Sequence, residues 1–203
     1  MSGCKIKICG LRRQEDISYV NRALPDFAGF IINFPKSHRS CSTDEVRALR
    51  EKLDERILPV GVFVDENPRI VAGLLNEGTI ALAQLHGSET PEMIRWLQKE
   101  TNRPVIKVFK IRTGEDIEEA LQSPADYILL DQGYGGGQTF DWDLVPRIER
   151  PWFLAGGLNS ENMREAIQQL RPWAVDLSSS VEIDKKKDEQ LILQAVRVAH
   201  KEK

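Results

Sequence analysis

The sequence has few cysteines, and their spacing fits neither disulfide pairs nor a metal site. Cys4, Cys9 and Cys41 are the only thiols among 203 residues. An odd number of thiols without metal-ligand spacing favours free thiols in a reducing compartment, so we expect no metal ion and a cytoplasmic protein. The start of the chain, MSGCKIKICG, also enters a predicted strand without an apolar signal segment.

Long hydrophobic runs and massed charge are also absent. No apolar run approaches the roughly 20 residues needed to cross a bilayer, so we expect no membrane contact. The formal net charge is -3. The one dense basic run, residues 185–187, is followed at once by Asp188 and Glu189, which predicts a solvated loop. This scattered charge predicts no nucleic acid partner. With 41% hydrophobic and 29% charged residues, the composition is that of a soluble globular protein.

What the chain does have is a regular alternation of short β-rich runs and longer amphipathic runs, uninterrupted by a linker rich in Pro, Gly or Ser. The eight predicted strands span residues 5–9, 27–33, 58–64, 81–86, 104–110, 125–131, 152–156 and 174–179. Helical patterns fill the gaps, and several carry start signals, such as Asn67-Pro68 and Thr90-Pro91. Eight such units predict an α/β protein, a single (β/α)8 TIM barrel with a parallel eight-stranded core over residues 1–203.

The main alternative is an open, doubly wound parallel sheet. That fold would need a phosphate-binding G-x-G-x-x-G motif after the first strand. Gly10-Leu11-Arg12 does not supply one. The barrel is therefore favoured, and its active groups should gather at the carboxyl ends of the strands.

Two strand ends carry candidate catalytic groups. Cys9 ends the first strand before a turn glycine, and Asp131 ends the run Tyr127-Ile128-Leu129-Leu130-Asp131. A stabilised thiolate can act as a base, and a half-desolvated carboxyl group can act as a general acid. Each also has a structural alternative: a buried cysteine is often an apolar filler, and a strand-end acid is often a loop anchor.

The alternation of side chains along the first strand adds a prediction about its charged residues. Cys9, Lys7 and Lys5 share one face, and on the neighbouring eighth strand Asp176 and Ser178 share a face. We therefore expect an ion pair between Lys7 and Asp176 inside the barrel, beneath Cys9. The alternative is that Lys7 points outward and extends its ammonium group to solvent.

Anion-binding groups follow three of the strands. Gly156 and Gly157 after the seventh strand, with Ser179 and Ser180 after the eighth, offer small residues and backbone amides where such barrels hold phosphate. Each segment could also be only a tight turn. Arg39 is a candidate for a carboxylate or phosphate of the substrate, since guanidinium binds either group at two points.

Three further features border these positions. The glycine-rich segment 134–140 is typical of a mobile cover that closes over a ligand. The alternative is that its glycines form only a flexible connecting loop. His86 is expected to pack or form a hydrogen bond within the barrel mouth. His38, beside Arg39, is expected to be exposed.

These strand-end segments occur in a specific order along the chain. They are residues 7–10, 34–39, 60–64, 84–87, 129–131, 135–137 with 139–142, 155–158 and 175–182. In this order they closely resemble the phosphoribosylanthranilate isomerases of tryptophan biosynthesis, over nearly the whole chain. Two positions depart from the family pattern: Ser180 replaces a glycine in the phosphate loop, and Gln138 replaces a lysine or similar residue in the cover.

The resemblance implies an Amadori rearrangement of N-(5-phosphoribosyl)anthranilate to 1-(2-carboxyphenylamino)-1-deoxyribulose 5-phosphate. Asp131 matches the general acid that opens the ribose ring, and Cys9 matches the base that removes the C2 proton. Arg39 matches the residue facing the anthranilate, and the last two loops match the phosphate cradle. The resemblance implies no cofactor, a small phosphorylated substrate as the partner, and a monomer or homodimer.

Two other functions remain open from the sequence. A Schiff-base aldolase on the same barrel would use Lys110 or Lys107 of the fifth strand as its nucleophile. A phosphate-binding barrel without catalysis is the other, and the presence of both Cys9 and Asp131 argues against it.

Overall fold

A computed structural model describes residues 3–131, 142 and 145–201 of the chain. Within these residues, eight parallel strands form a closed barrel, in which consecutive strands of the chain are neighbours and the first strand also pairs with the last. The strands are β1 (Lys5–Cys9), β2 (Phe27–Ile32), β3 (Leu58–Phe63), β4 (Leu82–Leu85), β5 (Val105–Lys110), β6 (Tyr127–Asp131), β7 (Trp152–Ala155) and β8 (Ala174–Leu177). The prediction of a (β/α)8 barrel is confirmed.

Seven α-helices of the described residues cover the outside of the barrel. They are α1 (Gln14–Ala23), α2 (Thr43–Arg50), α3 (Pro68–Asn76), α4 (Pro91–Thr101), α5 (Gly114–Leu121), α6 (Met163–Leu170) and α7 (Glu189–Lys201). The predicted helical segment between β6 and β7 falls largely on residues outside the described part. Short strands also occur at Ser40–Cys41, beside β2, and in a hairpin of Glu182–Ile183 with Lys186–Lys187.

Most predicted strands are one or two residues too long. The predicted range 27–33 ends in the structure at Ile32, and 174–179 ends at Leu177. Beyond Ile32 the backbone leaves the sheet at Asn33, which has a φ of 54°. Likewise the predicted range 152–156 ends at Ala155, before Gly156 with a φ of 88°. Strand pairing cannot continue through such left-handed residues.

The helix starts follow the signals in the sequence. The Ser42 hydroxyl accepts a hydrogen bond from the backbone N–H of Glu45, and the Glu45 carboxylate accepts one from the backbone N–H of Ser42, so a capping box begins α2. Asn67 and Thr90 cap α3 and α4, each followed by proline. These caps fix where each chain segment turns from a strand end into its helix.

The barrel interior and the space between barrel and helices form two separate apolar cores. The interior holds one inward-facing cluster: Phe27, Val60, Leu82, Ile106, Val108, Leu129, Phe153, Ala155 and Ala174. Outward-facing strand residues such as Ile6 and Ile8 pack against the helices in the larger core. This apolar filling blocks the amino-terminal part of the barrel, so the polar side chains collect at the carboxyl ends of the strands.

Among the described residues, no helix is long and apolar enough to cross a membrane.

Candidate active site

A cavity of about 590 Å³ opens at the carboxyl ends of the strands. Its size lies within the range of roughly 300 to 1,000 Å³ that is usual for small-molecule sites. The residues that line it come from most of the strand ends: Cys9, Ile31, Arg39, Val62, Gln84, His86, Lys110, Asp131, residues 155–159 and residues 176–180. Every site residue predicted from the sequence therefore borders this one cavity.

Cys9 ends β1 and is 7% exposed. It is paired in register with Gly29 of β2, where an added Cβ would lie 2.9 Å from the Cys9 sulfur and 3.0 Å from Cε of Lys7. Glycine at 29 thus leaves room for both side chains. Burial raises the pKa of the Cys9 thiol, while the nearby Lys7 ammonium acts in the opposite direction.

The predicted ion pair beneath Cys9 is confirmed. Nζ of Lys7 lies 2.8 Å from Oδ2 of Asp176, and the Lys7 side chain is 0% exposed, which excludes the outward orientation. Burial lowers the pKa of Lys7, but Asp176 and Cys9 more than compensate, so the pKa is raised and the lysine stays charged. Oδ1 of Asp176 is buried and has no hydrogen-bond partner among the described residues.

Asp131 and His86 face each other across the cavity from β6 and from the end of β4. Nε2 of His86 lies 3.8 Å from Oδ2 of Asp131, an ion-pair distance that is too long for a hydrogen bond. Burial lowers the pKa of His86, and the Asp131 carboxylate only partly offsets this. The imidazole is therefore mostly neutral near pH 7.

Arg39 points into the cavity from the loop after β2, but it already has a partner that the sequence did not reveal. Its Nε and Nη2 donate to the two carboxylate oxygens of Glu182, at 2.7 and 2.6 Å. Burial raises the pKa of Glu182, yet hydrogen bonds from Arg39 and Lys187 lower it to about 2. Glu182 follows the small residues of the loop after β8, and no local sequence pattern joins it to Arg39.

The two predicted phosphate loops lie side by side in the cavity. Gly156 and Gly157 both have positive φ, at 88° and 64°, a conformation that glycine adopts without strain. Ser179 and Ser180 begin a short 3-10 helix after β8. The Ser180 hydroxyl oxygen is buried and has no hydrogen-bond partner in the described residues, which is the state expected of a group that awaits a ligand.

The two lysines considered for an aldolase lie in different places. Lys107 points out of the barrel, where its Nζ donates to Glu89 at 2.9 Å and to the Gly87 carbonyl at 2.7 Å. Lys110 does border the cavity. His38 is 38% exposed, as expected. The cover segment 134–140, including Gln138, lies outside the described residues.

Comparison with known proteins gives a consistent result. The family model for N-(5'phosphoribosyl)anthranilate (PRA) isomerase matches residues 6–198. A curated relative from Endomicrobium trichonymphae, named N-(5'-phosphoribosyl)anthranilate isomerase, is 41% identical over 199 residues, which cover 96% of this chain and 97% of the relative.

Solved structures agree with this match. The phosphoribosyl anthranilate isomerase of Thermotoga maritima superposes with a TM-score of 0.88 at 36% identity, covering 97% of this chain and 98% of the other. A phosphoribosyl anthranilate isomerase in complex with reduced 1-(o-carboxyphenylamino)-1-deoxyribulose 5-phosphate superposes with a TM-score of 0.82 at 35% identity and the same coverage. The chain therefore belongs to the phosphoribosylanthranilate isomerase family and is an isomerase of tryptophan biosynthesis.

Proposed function

We propose that this chain converts N-(5-phosphoribosyl)anthranilate to 1-(2-carboxyphenylamino)-1-deoxyribulose 5-phosphate, with Asp131 as the general acid and Cys9 as the general base. The observation that carries the proposal is the shared cavity at the strand ends. It brings together a carboxyl group, a thiol, a guanidinium group and two loops suited to phosphate. A phosphorylated sugar joined to an aromatic carboxylate needs all four.

Ring opening is the first step. Asp131 donates a proton to the ribose ring oxygen, the C1–O bond breaks with its electron pair going to that oxygen, and the nitrogen lone pair forms a C1=N bond. The product is a protonated Schiff base and an Asp131 carboxylate. Neutral His86 lies beside this group, with its Nε2 3.8 Å from Oδ2 of Asp131.

Proton transfer at carbon follows. The Cys9 thiolate removes the proton from C2, the electron pair forms a C1=C2 bond, and the nitrogen recovers its lone pair to give an enolamine. A proton then returns to C1, the C2 hydroxyl loses its proton, and the ketone results. Burial disfavours the thiolate of Cys9, whereas the Lys7 ammonium and the positive Schiff-base nitrogen favour it. The thiolate form that removes the proton is therefore most populated when the charged intermediate is present.

The remaining residues bind the substrate in this scheme. Arg39 binds the anthranilate carboxylate, and His86 contacts the substrate near the acid. Backbone N–H groups at Gly156, Gly157 and Ser179, with the hydroxyl of Ser180, bind the phosphate. The buried Ser180 hydroxyl has no hydrogen-bond partner in the described part of the chain, and this supports the assignment, because a phosphate oxygen would satisfy it.

We also infer that residues 1–203 act as one catalytic domain in the cytoplasm, without a cofactor, as a monomer or homodimer. The nitrogen of the substrate serves as the electron sink, so the reaction needs no added group. Free thiols at Cys4, Cys9 and Cys41 support a reducing compartment. Light scattering coupled to size-exclusion chromatography would separate the two oligomeric states.

The decisive experiment is incubation of the protein with freshly generated N-(5-phosphoribosyl)anthranilate while its fluorescence is recorded. We expect the fluorescence of the substrate to disappear rapidly as the ketose product forms. The product is identified by its mass and because acid does not release anthranilate from it. Failure to convert the substrate, together with a covalent adduct on Lys110 after borohydride treatment with a carbonyl substrate, would instead support the aldolase.

A further inference from the structure

The Arg39 side chain is held by a carboxylate from far along the chain. Its pairing with Glu182 is side-on, through Nε and Nη2. Guanidinium has five N–H groups, so this contact leaves three. One remaining N–H on Nη1 and one on Nη2 form a second pair of donors, a second fork, which can bind another carboxylate at two points. Arg39 can therefore keep Glu182 and still bind a substrate carboxylate.

Glu182 is itself fixed by Lys187. Nζ of Lys187 lies 2.7 Å from Oε1 of Glu182 and donates to the Ser178 carbonyl at 2.8 Å. The side chains of Lys187 and Glu182 are only 1% and 7% exposed, and the two residues are register partners in the hairpin after β8. The buried Lys187 and the partly buried Arg39, whose side chain is 19% exposed, share one carboxylate. The group therefore keeps one positive charge, which suits one substrate carboxylate.

Gly10 sets the path of the Arg39 stem. A Cβ at Gly10 would lie 2.4 Å from Cδ of Arg39 and 3.3 Å from the Ser178 hydroxyl, so the stem passes directly over the glycine. The same Ser178 hydroxyl donates to the carbonyl of Cys9 at 3.1 Å. The contacts that hold Arg39 thus also fix it relative to the strand end that carries Cys9.

We infer that Glu182 and Lys187 are positioning residues that orient Arg39 so that its second fork faces the carboxylate of the anthranilate ring. The inference rests on the proposed function. Neither residue needs to touch the substrate; both act through the guanidinium. A preorganised arginine side chain loses less conformational entropy on binding, because the guanidinium is already oriented before the substrate binds.

Ligand binding tests the inference through Glu182→Gln, with Lys186→Met as the control. Lys186 is exposed on the same hairpin. The probes are 1-(2-carboxyphenylamino)-1-deoxyribitol 5-phosphate, which carries the carboxylate, and inorganic phosphate, which does not. We expect Glu182→Gln to raise the Kd of the first by about tenfold or more and to leave that of phosphate within about twofold. In turnover, KM should rise while kcat stays nearly constant. Equal losses for both probes, or none for either, would overturn the inference.

A second readout needs no substrate. In a ¹⁵N spectrum of the parent protein, the Nε–H signal of Arg39, assigned through its loss in Arg39→Lys, should exchange slowly with water. Glu182→Gln and Lys187→Met should both speed that exchange, and Lys186→Met should not. An unchanged signal in Glu182→Gln would refute the positioning role. A parent that fails to isomerise the substrate would refute the proposed function, whatever the Arg39 signal does.

Discussion

Lys7 and Asp176 are register partners on β1 and β8, and their side chains meet 2.8 Å apart inside the barrel. Each charge is removed from water and is compensated mainly by the other. Removing one partner of such a pair leaves an uncompensated buried charge, which typically costs about 3 to 5 kcal/mol of unfolding free energy.

A double-mutant cycle with Lys7→Met and Asp176→Asn should therefore show a large coupling energy, of about 2 kcal/mol or more. The matched control is Lys5 with Asp26, an ion pair from the same face of β1 whose lysine is 40% exposed. Its cycle should give a coupling of at most about 1 kcal/mol. Urea denaturation measures both cycles. Equal coupling in the two pairs would mean that burial does not strengthen the inner one.

Replacing either proposed proton carrier should remove most of the activity without unfolding the protein. We expect Cys9→Ala and Asp131→Asn each to lower kcat by about two to four orders of magnitude, the usual range for a positioned acid or base. Cys41→Ala is the control, because Cys41 is buried but lies outside the cavity. Stopped assays with fresh substrate would measure the effect. Near-parental kcat in either variant would remove that residue from its role.

Loss of the Arg39 guanidinium should act mainly on binding. Its partner charge is present in substrate and transition state alike, so Arg39→Ala should raise KM far more than it lowers kcat. Arg56→Ala is a suitable control, since Arg56 lies before β3 at the opposite end of the barrel and is 66% exposed. An unchanged KM in Arg39→Ala would place the anthranilate carboxylate elsewhere.

Ser180 tests how a departure from the family pattern is tolerated. Serine adds a Cβ beside the ligand, but it also supplies a hydroxyl that can donate to phosphate. These effects should nearly cancel, so Ser180→Gly should leave kcat almost unchanged and shift KM by less than about tenfold, roughly 1.4 kcal/mol. If steady-state kinetics instead show a gain of orders of magnitude in kcat/KM, serine distorts the cradle and the loop is adapted to a different ligand.

Asp26 should make the free energy of unfolding depend on pH in the acidic range. Burial raises its pKa, but hydrogen bonds from Lys5, His200 and the Ile6 backbone N–H outweigh this, so the folded-state pKa is lowered. The carboxylate therefore stabilises the fold above its unfolded pKa of about 4, and that contribution is lost as pH falls towards the folded value. Asp26→Asn should lose about 1 to 2 kcal/mol at pH 7, and chemical denaturation should show the gap to the parent closing below about pH 4. A gap that stays constant would exclude ionisation as its cause.

The sequence by itself determined the eight-fold alternation, the closed barrel and the strand ends that carry Cys9 and Asp131. These follow from local rules, because side chains alternate along a strand and active groups of a parallel barrel gather at one end. Even the Lys7–Asp176 pair could be predicted, since closure makes the first and last strands neighbours.

Only the tertiary structure decided how the loops meet. Arg39 and Glu182 are 143 residues apart and belong to different loops, so no periodicity relates them. The same holds for Lys187. The sequence predicts that it belongs to a solvated basic run, but the structure shows that it is buried. Alternation fixes which face of a strand a residue occupies. Which loop side chains then touch depends on backbone turns such as those at Asn33 and Gly10, and on the whole barrel that brings distant loops to the same mouth.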